Sequence, residues 1–213
     1  MNVSTRVHIP AGSATIEGML EIPEPAAGLV LFAHGSGSSR HSPRNNYVAG
    51  ILRQAGVGTL LMDLLTPEED RDYARRFDIG LLTERLLAAA RWVGREESAR
   101  TLPLGFFGAS TGAAAALEAA AEMGAGARAV VSRGGRPDLA SRETLARVSA
   151  PTLLLVGGLD GGVIELNEQA YAQLGCEKEL VVVPGATHLF EEPGALEEVA
   201  RQAAGWFAGH FTV

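Results

Sequence analysis

The chain has 213 residues, 46% hydrophobic and 20% charged, with a net charge of −7. That composition excludes a disordered chain, and the acidic balance argues against a nucleic-acid partner, whose phosphates need a basic footprint. One cysteine, Cys176, allows no internal disulfide; Met1 to Pro10 lacks a signal-peptide core and no run of 18 apolar residues spans a membrane, so a cytoplasmic protein is expected.

The chain opens with two alternating stretches, Arg6–Ile9 and Ala14–Ile22, broken by Gly12, which predict an antiparallel hairpin at a sheet edge. Six short apolar runs follow: Gly28–Ala33, Thr59–Asp63, Leu102–Phe107, Ala127–Ser132, Thr152–Val156 and Glu179–Val183. Such continuous runs suit parallel strands covered on both faces. Between them lie helical patterns. Leu82, Leu86, Ala89 and Val93 share one helix face, and Thr111 to Met123 is alanine-rich. Further helices are expected at Leu139–Val148, Glu165–Leu174 and Leu196–Phe211. The basic group Arg71, Arg75 and Arg76, interleaved with acids, reads as a solvated face. Strands alternating with helices imply one doubly wound, mostly parallel α/β sheet with an antiparallel N-terminal edge.

In such sheets ligands bind beyond the carboxyl ends of the strands. The residues just past those ends are His34-Gly35-Ser36-Gly37, Asp63, Gly108-Ala109-Ser110-Thr111-Gly112, Arg133, Asp160 and His188. Gly108 to Gly112 fits the G-x-S-x-G nucleophile elbow and stands where the elbow must stand, between an apolar run and a helix. The bland alternative is a glycine-rich turn whose serine caps the helix. Asp160 and His188 complete the order Ser, Asp, His that accompanies this elbow. Ser110 is therefore the candidate nucleophile, His188 its base and Asp160 the acid that orients the base. Thr111 and Ser36 are the expected amide donors to a developing oxyanion, with Gly37 as the alternative to Ser36. His34 reads as structural.

The loop His34–Asn45, Met62-Asp63-Leu64, Gly108–Gly112, Ser132–Asp138 and the Asp160 and His188 segments together resemble the dienelactone-hydrolase-like branch of the α/β-hydrolases. The resemblance covers nearly the whole chain. It implies one α/β-hydrolase domain over residues 1–213, without a cap domain. The enzymes that give the branch its name use a cysteine nucleophile, and Ser110 takes that place here. Small carboxylic esters or lactones are thus the expected substrates, more than dienelactone. Cys176 lies in the wrong segment to serve instead.

No cofactor is expected. Gly35 to Arg40 is no dinucleotide fingerprint, no phosphate-binding P-loop occurs, and the five histidines show no zinc spacing, so no metal site is expected either. Arg40 and Arg133 follow strands and are candidates for holding a substrate carboxylate; the plainer reading of each is a bracing arginine. The partner is then a small-molecule ester, not nucleic acid or membrane, and the sequence leaves the oligomeric state open. Two other uses stay open: acyl transfer or thioester hydrolysis by the same triad, and a non-catalytic binding or accessory module. The interval Arg133 to Pro151 is too short for a lid, which predicts an open site that prefers short acyl chains.

Overall fold

The computed structural model describes residues 3–211. Eight strands form one sheet in the order β1-β2-β4-β3-β5-β6-β7-β8. They are β1 (Val3–Ala11), β2 (Ala14–Ile22), β3 (Gly28–Ala33), β4 (Val57–Met62), β5 (Leu104–Ala109), β6 (Ala127–Arg133), β7 (Thr152–Gly157) and β8 (Lys178–Val183). β1 pairs antiparallel with β2, and β2 antiparallel with β4; every other pairing is parallel. The antiparallel edge, parallel body and alternation therefore stand as the sequence implies.

β3, β4, β6 and β7 are buried along nearly their whole length because helices cover both faces. One face carries α1 (Pro43–Gln54) and α6 (Ala195–Phe211), packed on Val30, Phe32, Phe107, Val131 and Leu155. The other carries α2 (Ile79–Val93), α3 (Thr111–Met123), α4 (Arg142–Arg147) and α5 (Gly161–Gln173), packed on Leu31, Leu60, Phe106, Val130 and Leu154. Alternate residues of one strand thus belong to opposite layers, as the two-residue strand period requires.

Several boundaries differ from the sequence reading. α1 is a helix where the sequence suggested only loop; Ser42 caps it through Asn45 N–H, and Pro43 opens it. β5 begins two residues later, past Pro103, and runs to Ala109 because Gly108 and Ala109 still pair with Ser132 and Arg133. The helix expected at Leu139–Val148 splits into a 3₁₀ turn (Pro137–Leu139) and α4, since Ser141 caps a fresh start through Thr144 N–H. Leu64 to Asp78 folds as two 3₁₀ turns, Glu69–Arg71 and Tyr73–Phe77. Arg75 and Arg76 are paired there with Glu69, Asp70 and Asp72.

The chain runs from β3 to β4 on one side and then crosses back to β5 on the other. That reversal is the switch point where α/β sheets open a crevice at their carboxyl ends.

Candidate active site

Ser110 joins β5 to α3 with φ 51° and ψ −122°, a conformation that L-residues avoid. The turn is locked from several sides. Ser110 N–H donates to Arg133 O at 3.2 Å, and Arg136 N–H donates to Ser110 O at 3.0 Å. Flanking glycines make the turn possible: a methyl at Gly112 would overlap the Ala33 carbonyl, and one at Gly108 would overlap Ala113 Cα. Ser110 makes no side-chain cap to α3, so the helix-capping alternative fails.

Beyond β7 and β8 the structure joins the other two candidates. His188 Nδ1 lies 2.6 Å from Asp160 Oδ2. An ionised carboxylate only accepts, so Nδ1 carries the proton and donates, leaving Nε2 with its lone pair. Gly134, on the segment that follows β6, fits against this pair: a Cβ there would stand 3.1 Å from His188 O and 3.5 Å from His188 Nδ1. The segment 133–136 thus touches Ser110 through its backbone and His188 through Gly134. Among the described residues no hydrogen bond joins Ser110 Oγ to His188, so the pairing of acid and base is formed and that of base and nucleophile is not.

The loop after β3 comes to the same place. A Cβ on Gly35 would stand 3.0 Å from Ser110 Cβ, so only glycine lets the loop approach so closely. Ser38 N–H closes a turn on Gly35 O at 3.1 Å, with Gly37 at φ 68° as the position that needs glycine. Ser36, expected as an oxyanion donor, donates its N–H to Thr111 Oγ1 at 3.0 Å. The Thr111 hydroxyl therefore ties the loop to the start of α3. The N–H groups of Thr111 and Gly37 have no described partner, as expected at a helix N-terminus for the first.

His34 is structural. Its Nε2 accepts Leu64 N–H at 3.0 Å, so Nδ1 donates to Gly35 O at 2.9 Å. Burial pulls its pKa down, more than the Gly35 carbonyl raises it, and the ring stays neutral as a strut between the β3 and β4 loops.

Arg40 requires a correction. Its guanidinium is occupied by Asp63 and Glu17, and its N–H by Asp63 Oδ1 at 2.7 Å. Two carboxylates, from β2 and the β4 loop, already hold both of its terminal nitrogens and balance its charge, which favours the bracing reading over a substrate carboxylate. Arg133 differs: it is 7% exposed, and its Nε and Nη1 have no partner among the described residues. Sequence reasoning passed over Asn45, which the Arg133 side chain meets through Nη2 at 3.4 Å. The Ser42-Pro43 helix-start signal was the available clue.

Among the described residues no cluster of metal-ligating side chains occurs, and no helix is long and apolar enough to cross a membrane.

No protein-family model matches the chain. A solved dienelactone hydrolase from Anabaena variabilis ATCC 29413 is 54% identical, with each chain 98% covered and a TM-score of 0.95. Est1E from Butyrivibrio proteoclasticus, 16% identical with a TM-score of 0.83 over 98% of this chain and 99% of its own, shares the fold. Two curated Mycobacterium tuberculosis proteins, from strains CDC 1551 / Oshkosh and H37Rv, are 57% identical over 204 residues and bear the name "Putative phosphoribosyl transferase". The match covers 96% of this chain but 46% of theirs, so the chain spans about half the length of the curated relatives it matches. With a strained serine elbow, a carboxylate–imidazole pair at the next strand ends and near-complete overlap with the Anabaena protein, the chain belongs to the dienelactone-hydrolase-like branch of the α/β-hydrolase superfamily.

Proposed function

We propose that this chain is a serine hydrolase that cleaves small carboxylic esters or lactones through an acyl-enzyme on Ser110. The observation that carries the reading is the Ser110 backbone at φ 51°, ψ −122°. Such a conformation costs about 1–3 kcal/mol and persists where surrounding structure enforces it. The hydroxyl caps no helix, and an oriented imidazole with its Nε2 lone pair free stands on the neighbouring segment.

In the reaction His188 Nε2 takes the Ser110 proton as Oγ attacks the acyl carbon, and Asp160 holds the imidazolium that forms. The Thr111 amide, at the positive end of α3, donates to the oxyanion together with a second amide from the Ser36-Gly37 turn. Gly37 is the freer of the two donors, because Ser36 is shared with Thr111 Oγ1. His188 then returns the proton to the leaving alcohol. Water attacks the acyl-enzyme with His188 again the base, and Ser110 is regenerated. The chemistry uses no cofactor, and the partner is the small ester itself. The 54% identical Anabaena protein, a dienelactone hydrolase, supports the ester or lactone bond as the target. We place the enzyme in the cytoplasm.

The test is hydrolysis of p-nitrophenyl acetate. Ser110→Ala should lower turnover by roughly 10⁴- to 10⁶-fold while the protein stays folded. Unchanged turnover would remove Ser110 from the mechanism.

A further inference from the structure

Arg133 closes β6 on the face covered by α1, in the same strand phase as Val131. Its Nη2 donates a long 3.4 Å bond to Asn45 Oδ1, and its Cζ stands 6.0 Å from the Phe190 ring centre, the outer limit of a cation–π contact. Nε and Nη1 have no partner among the described residues, and neither does Nε of Arg44, the residue before Asn45. No described ion pair gives Arg133 a carboxylate. Glu191, 63% exposed, pairs with Arg44 alone, and so exposed a pair offsets little. Buried charges in folded proteins are paired; this one is not.

The charge next to Arg133 is the positive Arg44, and the carboxylate that pairs with Arg44, Glu191, is exposed. Burial, and then the neighbouring Arg44 charge, bring the Arg133 guanidinium down to about 10. Arg133 meets α1 in its first turn, which holds no acidic residue and whose Asn45 N–H is already capped by Ser42. The place is equally specific. The backbone carbonyl of Arg133 accepts Ser110 N–H, and the next residue, Gly134, lies against His188. A carboxylate offers two oxygens to one guanidinium fork. A phosphate monoester offers three terminal oxygens and up to two negative charges, which suits two guanidinium groups and the side-chain amide of Asn45.

We propose that Arg133, Arg44 and Asn45 form an anion subsite beside Ser110 for a phosphate group carried by the ester substrate. That the group arrives on the substrate rests on the serine-hydrolase reading; the binding of the anion does not.

The probe is inorganic phosphate, titrated at constant ionic strength against the melting temperature, with acetate as comparison. Phosphate should raise the melting temperature of the wild type saturably, and of Ser110→Ala equally. In Arg133→Met the apparent affinity should fall at least tenfold. Without phosphate that variant should melt at or above the wild type, since apolar volume replaces an orphaned charge. A wild type indifferent to phosphate, or equally responsive to acetate, overturns the proposal. So does an Arg133→Met variant that melts far below wild type in phosphate-free buffer, because the arginine then braces the fold.

A second arm compares kcat/KM for 2-acetoxyethyl phosphate with that for 2-hydroxyethyl acetate. The ratio should fall at least tenfold in Arg133→Met. An unchanged ratio, with phosphate still stabilising the wild type, makes free phosphate the ligand and overturns the assignment to substrate. If neither ester is cleaved while phosphate still stabilises, the hydrolase reading fails and the anion site stands.

Discussion

At φ 51° Ser110 holds a shape that glycine adopts at no steric cost, so nucleophile and stability are set against each other at one residue. Ser110→Gly and Ser110→Ala both remove the hydroxyl, but only the first relieves the backbone. Relief of about 1–3 kcal/mol exceeds the 0.5–1 kcal/mol that glycine loses to chain entropy. Ser110→Gly should therefore be about 1 kcal/mol more stable than Ser110→Ala by urea denaturation, with both inactive. Equal midpoints would mean that the turn is unstrained. His34 sets a pH dependence of the opposite kind. Burial holds its pKa below the ordinary 6.5, so below that pH the unfolded chain binds a proton that the folded chain refuses. Stability should then drop as pH falls from about 6.5, by at most about 1.4 kcal/mol per pH unit, and should be flat in this respect above it. His34→Gln should flatten the acid limb of a melting-temperature profile between pH 5 and 8. Parallel profiles would show that His34 titrates alike in both states.

Among elements, the joint between the β3 loop and α3 carries the most consequence. One bond, Ser36 N–H to Thr111 Oγ1, sets the distance between the two amide sources. Thr111→Val keeps the shape and removes the acceptor, which should cost about 1–3 kcal/mol for the amide left unmet. It should also lower kcat for p-nitrophenyl acetate, whereas Thr111→Ser should keep both stability and rate. A valine variant as stable and active as wild type would show that the loop needs no such tie. This joint also marks how far the sequence could be read. The elbow was legible because glycine spacing, an apolar run and an alanine-rich helix lie within a few residues of each other. Asp160 and His188 were legible through chain order. The partners of Arg40 were not legible because Glu17 and Asp63 are each 23 residues away and become neighbours only when β2 and β4 pair. α1 escaped because only Asn45, Val48, Ala49 and Leu52 are buried in a helix otherwise polar or half-exposed, too thin a stripe to stand out by periodicity. The solitude of Arg133 depends on what surrounds it in three dimensions, and no spacing encodes that.

For the whole molecule, the order of eight strands brings the carboxyl ends of β3, β5, β6, β7 and β8 side by side, and the 3₁₀ segment after β4 borders the β3 loop, where Arg76 Nη1 would stand 3.4 Å from a Cβ on Gly37. Between β6 and β7 there is only a 3₁₀ turn and the six-residue α4, so no lid is inserted there. Each buried methylene contributes about 0.8 kcal/mol only if a wall lies against it. Turnover efficiency across p-nitrophenyl esters should peak at acetyl to butyryl and show no jump at the micelle threshold; a maximum at about ten carbons or more would mean an apolar groove exists. The most direct measurement concerns Ser110 itself. After reaction with a fluorophosphonate, intact-mass spectrometry should find one adduct per chain, mapped to Ser110, absent in Ser110→Ala and at least about 10²-fold slower to form in His188→Ala. No adduct, or an adduct on another residue with Ser110 unmodified, would contradict the serine-hydrolase reading.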